Sequence, residues 1–305
     1  MKQKTPQSGF KRFYMGDRIF TAGCNAALFV VLIVTLYPVV FIVSASFSDV
    51  QAVTQGRVWL WPVDFSIEGY KAVFRSQEIP RGFINSVYIT CMGTVINVVL
   101  TLMLAYPLSR RDLYGRNLVT ALIAFTMLFS GGMIPSFLLV RNLGMYNTFW
   151  AVIIPGAVSV YNAIIARTFF QTNIPPDLLE AAVLDGCSDL RFLARVVLPL
   201  SAPIIAVLVM FYAVGHWNNY FSAMIYLKDP AKKTFQVVLR DILIMNRDVE
   251  LNNMVKDANT LSRQQGLVTL LKYSLIVIGS APMMLLYPFI QKHFIKGIMV
   301  GSIKG

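Results

Sequence analysis

Residues 20–46 read FTAGCNAALFVVLIVTLYPVVFIVSAS, a run without Asp, Glu, Lys or Arg. A bilayer's hydrocarbon layer takes about 20 helical residues to cross, and this run exceeds that. It is also far too long for a sheet strand. Working outward, five further apolar runs occupy residues 83–108, 117–140, 148–170, 200–227 and 267–290, each bounded by charge or by Pro and Gly. The expected fold is all-α, a polytopic membrane protein with six transmembrane helices in one domain over residues 1–305. Pro38, Pro135, Pro155, Pro282 and Pro288 lie inside the runs. Spanning helices tolerate them because neighbouring helices, hydroxyls or water re-satisfy the freed carbonyls.

Composition points the same way. Hydrophobic residues make up 56% of the 305 residues, charged residues 14%, and mean hydropathy is +0.61. An ordinary soluble domain carries about 25% charged residues, so lipid is the solvent this chain requires. The net charge of +12 does not indicate a nucleic-acid partner, because the basic residues sit at the edges of apolar runs instead of on one face. Cys24, Cys91 and Cys187 are too scattered for a disulfide or a metal site, and no metal is expected.

The small residues Ser44-Ala45-Ser46 look like a signal-peptidase site, but the apolar stretch before them is longer than a signal peptide's core. A retained first helix is expected. Six spans place both termini on one side. The tail residues Lys2, Lys4, Lys11, Arg12 and Arg18, and the short loop with Arg110, Arg111 and Arg116, argue for cytoplasmic termini. The loop holding Lys228, Lys232, Lys233, Arg240, Arg247, Lys256 and Arg263 is long, and long loops cross largely regardless of charge. It reads as a water-exposed cap on the outer face. The other long loop, with Trp59, Trp61 and Tyr70, reads as an amphipathic interfacial element.

Between the fourth and fifth runs lies residues 175–203. Pro175-Pro176 suits the first turn of a helix, and Asp177 and Glu180 complement its dipole. Gly186 suits a helix stop, Ser188 can cap a second short helix, and Pro199 and Pro203 end it. The paired Ala181 and Ala182 allow another surface to approach closely. Leu178, Leu179 and Leu184 supply apolar contact, and Glu180 and Asp185 charged contact. On the residues alone, the segment is either such a docking hairpin or an interfacial hairpin packed on its own protein.

Glu180-Ala181-Ala182, followed by Asp185-Gly186-Cys187, Phe192 and Leu198-Pro199-Leu200, resembles the EAA motif of carbohydrate ABC importer permeases. Tyr37-Pro38, Asn85-Ser86 and Trp217-Asn218-Asn219-Tyr220 extend the likeness. The closing Gln291-Lys292-His293-Phe294-Ile295-Lys296-Gly297, with Gly301 and Lys304-Gly305, is similar to the tail of the MalG-like subunit. The resemblance implies that residues 180–186 form the coupling helix seated on an ABC ATPase. It implies that the tail, 291–305, with Gln291, Lys296, Gly297 and Lys304, reaches the ATPase pair. It also implies a second homologous permease, two ATPase subunits that hold ATP and Mg, and an extracytoplasmic solute-binding protein. The chain would then be an importer subunit of the cell (inner) membrane, translocating an oligosaccharide by alternating access.

The sequence agrees with that division of labour. It contains no Gly-x-x-x-x-Gly-Lys-Ser/Thr loop, so neither an enzyme nor a cofactor of its own is expected. Polar residues inside spans are functional candidates. Trp217, Asn218, Asn219 and Tyr220 offer amides and aromatic faces suited to sugar rings, and Tyr161 and Asn162 fit either pathway lining or helix–helix hydrogen bonding. His216 reads as a helix histidine or pathway residue, Arg167 and Lys272 as snorkelling cations, and Gly131-Gly132 before Pro135 as permitting a kink or close packing. In maltose-type importers the sugar contacts lie mainly on the partner permease. The basic outer loops suggest an acidic, uronate-containing substrate. The alternative class, an ion-gradient-driven secondary transporter, calls for an internal repeat and acidic residues at span centres, and neither is visible.

Overall fold

The computed structural model describes residues 15–129, 131–244 and 258–302, with side chains over 18–129, 131–243 and 266–288. Helices and turns make up all of the regular structure among the described residues. The chain divides into two compact units, Met1–Gly69 with Asp257–Ser274, and Tyr70–Lys256 with Leu275–Gly305.

In the first unit, α1 (Met15–Ser46) is one continuous helix whose apolar surface is uncovered until its last turns. There Ser44 donates to the Leu60 carbonyl at 2.7 Å, and the Ser48 hydroxyl accepts from Val63 N–H at 3.0 Å. Asp49 caps α2 (Val50–Thr54) by accepting from Gln51 N–H at 2.8 Å. Ala45, Ala52 and Val58 form a small core flanked by Phe41 and Tyr273. Trp59 and Trp61 stay exposed, as an interfacial element requires.

The second unit is organised around α4 (Glu78–Ser109), which α8 (Val160–Asn173), α12 (Ala202–Asn218) and α14 (Phe235–Ile244) pack against. The short α3 (Glu68–Arg75) precedes it. The third apolar run is α5 (Arg116–Leu128) and α6 (Met133–Asn142), bent by 113° beside Gly132, whose φ is +83°. The expected kink at Gly131-Gly132 therefore lies where the run breaks. The fourth run is divided into α7 (Trp150–Ile153) and α8. Pro155 follows α7, Gly156 adopts φ +79°, and Ser159 restarts the helix by accepting from Asn162 N–H at 3.4 Å. The fifth run is α12 and α13 (Phe221–Tyr226), and the sixth lies within α15 (Ala258–Ser302).

Among the described residues, three helices are long and apolar enough to cross a membrane, or five if each bent pair is one span. Six continuous helices are not found among the described residues, because glycine and proline interrupt the third and fourth runs and the fifth breaks at Asn219-Tyr220 between α12 and α13. The outer loop expected to be a water-exposed cap also differs. Its Thr234, Phe235, Val237 and Val238 are buried, with Phe235 edge-on to Phe83 and stacked on Trp217.

α4 joins its neighbours through a seam of neutral polar groups. Asn97 Nδ2 lies 2.9 Å from His216 Nε2, and Thr101 Oγ1 lies 2.6 Å from Tyr212 OH, which also accepts from Ser159 N–H at 3.0 Å. His216 is thus a satisfied helix histidine, seated against Gly93. A Cβ at Gly93 would fall 2.5 Å from its Nε2, so only glycine allows this approach.

Candidate functional site

Segment 175–203 folds as two helical pieces separated at Gly186, but Pro199 and Pro203 do not end the second. It runs past Pro199 to Leu200, and Pro203 lies in the first turn of α12, where a missing N–H costs nothing. α9 (Pro176–Leu184) starts on Pro175, whose fixed φ suits the entry to a helix. It ends in a paired closure: Gly186 N–H donates to Val183 O at 3.0 Å and Cys187 N–H to Ala182 O at 2.9 Å. That pattern needs a left-handed residue after the C-cap, and Gly186 supplies it with φ +70°. Ser188 stands at the N-cap of α10 (Asp189–Phe192), where its carbonyl, not its hydroxyl, takes the first bond, from Phe192 N–H at 2.9 Å. Leu193–Val197 then widens to a π-turn before α11 (Leu198–Leu200). Pro199 has no N–H for the Arg195 carbonyl, which is the local reason for the wider turn.

The two alanines of the motif are not equivalent. Ala182, with Leu179 and Cys187, packs against the core formed by Tyr106, Phe170, Phe192 and Val197. Ala181, Glu180, Asp185 and Gly186 face outward, and no residue of α9 is buried. The outward surface is also apolar: Val183 is 60% exposed, Leu184 88% and Leu190 78%. Inner packing and outer exposure both hold, so the segment has a side fixed to its own protein and a side left for something else.

Sequence reasoning passed over the residue that fastens this segment. Arg110, treated only as a loop cation, has a side chain just 17% exposed. Its Nη1 donates to Asp189 Oδ1 at 2.7 Å and to Tyr106 OH at 3.2 Å, while Nε and Nη2 grip Asp112 at 2.8 and 2.6 Å. The Asp112 bond holds Arg110 firmly protonated, and the same bond keeps the Asp112 carboxyl below its usual range. A cleft of about 410 Å³ opens here, lined by Met103, Tyr106, Arg110, Tyr114, Leu190 and Leu193. The one signal available was an Arg-Arg-Asp triplet directly after an apolar run. Arg167, expected to snorkel, instead donates from Nε to the Leu108 carbonyl at 2.9 Å, and Gln171 reaches Ser109 O at 3.4 Å. Two side chains of α8 therefore cap the free carbonyls that end α4.

The polar residues proposed for the substrate pathway are not gathered into one site. Trp217 is 2% exposed, its indole N–H donates to Gly279 O at 2.9 Å, and Phe83 and Phe235 cover its faces. Asn162 is buried, and Asn219 Oδ1 accepts from Ser222 N–H at 3.2 Å. Tyr161, Asn218 and Tyr220 are exposed. Of the tail residues, Gln291, Lys296 and Gly297 lie on the α15 backbone, and Lys304 lies outside the described residues. Among the described residues, no group of three or more His, Cys, Asp or Glu is placed to hold a metal ion.

Comparison with known proteins places this architecture. The family described as binding-protein-dependent transport system inner membrane component matches residues 79–300. The polygalacturonan/rhamnogalacturonan transport system permease protein YtcP of Bacillus subtilis (strain 168) is 41% identical over 291 residues, 95% of this chain and 100% of that protein. Protein LplC of the same organism is 41% identical over 272 residues, 89% of this chain and 90% of its own. A chain in the crystal structure of a bacterial ABC transporter involved in the import of the acidic polysaccharide alginate superposes with a TM-score of 0.83. It is 32% identical and covers 94% of this chain and 100% of its own. An all-helical membrane chain with a separately exposed helix between its fourth and fifth apolar runs, matched over most of its length, belongs to the family of binding-protein-dependent transport system inner membrane components, the permeases of ABC transporters.

Proposed function

We propose that this permease imports acidic, uronate-containing oligosaccharides by alternating access, driven by ATP hydrolysis on two partner ATPase subunits through α9. A second homologous permease completes the pore, and an extracytoplasmic solute-binding protein delivers the sugar. Both termini and segment 175–203 lie in the cytoplasm, the tail 291–305 adds a second ATPase contact, and ATP and Mg stay on the partner. The observation that carries the reading is α9 itself: a capped helix held to its own core by Leu179 and Ala182, with Val183 and Leu184 left uncovered. Exposed apolar side chains on a short, firmly closed helix fit a cleft on another protein.

The substrate class is supported by two relatives, one described as transporting polygalacturonan, a polyuronate, and one as involved in importing an acidic polysaccharide. Exposed Arg81, Arg141 and Lys228, near the ends of elements on the proposed outer side, favour the same sign of substrate. Tyr161, Asn218 and Tyr220 are the pathway residues with free surface to meet it. The complete transporter in proteoliposomes tests the whole reading. Oligogalacturonates with the binding protein should stimulate ATP hydrolysis, whereas their fully methyl-esterified forms should not. Equal stimulation by both would remove the acidic substrate, and failure of any ATPase to copurify with the tagged permease would remove the coupling assignment.

A further inference from the structure

α9 hangs between two elements that are both tied to the last turn of α4. On its N-terminal side, Arg167 and Gln171 of α8 donate to the Leu108 and Ser109 carbonyls. On its C-terminal side, Asp189 of α10 takes the Arg110 guanidinium at 2.7 Å. Arg110 continues directly from α4, with its own N–H bonded to Pro107 O at 3.1 Å. We propose that Arg110 is a positioning residue for coupling, transmitting the motion of the α9–α10 hairpin to α4 through Asp189. The inference rests on the coupling reading above.

The geometry separates this role from that of an ordinary surface pair. Arg110 has three acceptors, but Tyr106 and Asp112 belong to its own helix and loop, and only Asp189 belongs to another element. The apolar core beneath, in which Tyr106 meets Phe170 and Phe192, can transmit a push on α9, because close-packed side chains resist compression. Packing of that kind is non-directional and does not by itself fix the orientation of the hairpin against the end of α4. A charge-assisted bond from a shielded guanidinium supplies that directional link through the return stroke, in which α4 follows the hairpin back. A lysine cannot replace it, since a single ammonium cannot hold Asp112, Tyr106 and Asp189 in this planar fork.

The test is uptake per ATP hydrolysed in the complete transporter reconstituted in proteoliposomes, normalised to assembled complex. Asp189→Asn and Arg110→Lys should each lower that ratio by up to about fivefold, the size of effect a pair with one solvent-exposed partner carries, and Asp189→Glu should restore most of it. Asp112→Asn removes the carboxylate charge and one of the two oxygens that Arg110 grips, but no bond between elements, and should leave the ratio near wild type. A merely structural Arg110 predicts the reverse order, with Asp112→Asn the more damaging. That order, or an unchanged ratio in Asp189→Asn, overturns the inference. An Ala181→Cys variant distinguishes the two readings. If it cross-links to the ATPase while Asp189→Asn stays coupled, only the Arg110 role falls; if no cross-link forms and no ATPase copurifies, the coupling assignment falls with it.

Discussion

Gly186 separates folding from coupling more cleanly than any other position in segment 175–203. Its φ is +70°, and a Cβ built there meets nothing within 4 Å, so a substitution acts on the backbone alone. Holding an L-residue with a Cβ in the left-handed region costs roughly 1–2 kcal/mol, and least for asparagine. If the backbone escapes that strain, it gives up the bonds from Gly186 N–H to Val183 O and from Cys187 N–H to Ala182 O. Both carbonyls are at a solvent-exposed helix end, where water replaces much of the loss, about 0.5–1.5 kcal/mol per bond. The chain takes the cheaper route, so the total is capped near 2 kcal/mol. That is too little to unfold the spans, but it changes the population of a correctly closed α9 by roughly 30-fold.

Gly186→Asn should therefore transport close to wild type, Gly186→Ala should lose part of its uptake, and Gly186→Val should lose most. All three should reach the membrane and show the same thermal midpoint in detergent to within a few degrees. The assay is binding-protein-dependent uptake into proteoliposomes, beside the unfolding midpoint of the same preparations. Wild-type uptake by Gly186→Val would refute the reasoning. So would a large drop in its thermal midpoint, because the strain would then be reaching the core through contacts that the structure does not contain.

Three other positions carry expectations of different kinds. Gly93→Ala drives a Cβ into the His216 ring and breaks its bond to Asn97, so overpacking plus one intramembrane bond should destabilise by about 2–4 kcal/mol; an unchanged unfolding midpoint would contradict the seam. Trp217→Phe keeps a ring against Phe83 and Phe235 but deletes the bond to Gly279, so the midpoint should fall by about 2–4 °C with uptake per ATP unchanged; lost uptake at full stability would instead place Trp217 in the sugar pathway. The Asp112 carboxyl is depressed by its bond to Arg110, so its stabilising pairing is complete above the ordinary carboxylate range and is lost only as pH falls through the lower folded value. Uptake per ATP in Asp112→Asn should accordingly track wild type between pH 6 and 8, and a divergence there would mean that another group titrates with it.

Local chemistry was legible in the sequence at Pro176 and Gly186, though not at Ser188, whose hydroxyl makes no cap, or at Pro199, which the helix runs through. Pro176 opens α9 and Gly186 closes it, because proline's fixed φ and glycine's positive φ are properties of single residues. Apolar length located the runs for the same reason. Apolar length alone did not reveal the break in the fourth run: residues 148–170 are apolar throughout most of their length, yet Pro155 and Gly156 part α7 from α8. Pairings between distant residues were invisible as well. Arg110 and Asp189 are 79 positions apart, and Asn97 and His216 are 119 apart. Trp217 reads in sequence as a sugar platform because an indole that packs a core and one that lines a pathway have the same composition. A pattern was nonetheless available for the seam, since Thr90, Thr94, Asn97 and Thr101 recur at helical spacing along one face of α4.

That seam bears on how force would travel once it reaches α4. Hydrogen bonds between membrane helices average only about 0.6 kcal/mol each, so Asn97–His216 and Thr101–Tyr212 do not by themselves lock α4 to α12. Close approach does more. Gly93 admits the His216 ring, Gly82 admits Val238 and the Phe235 backbone, and Gly279 admits the Phe235 ring, each at distances that a Cβ would forbid or crowd. Small residues at helix contacts maximise dispersion where no hydrophobic drive between helices exists, and several of them along one helix hold its neighbours in a single packed body. α4, α12 and α14 should then move together, with little sliding at the seam. Under the proposed mechanism that body then receives the hairpin's motion at two places, through α11, which runs on into α12, and at the end of α4, where Arg110 meets Asp189 and supplies a directional link.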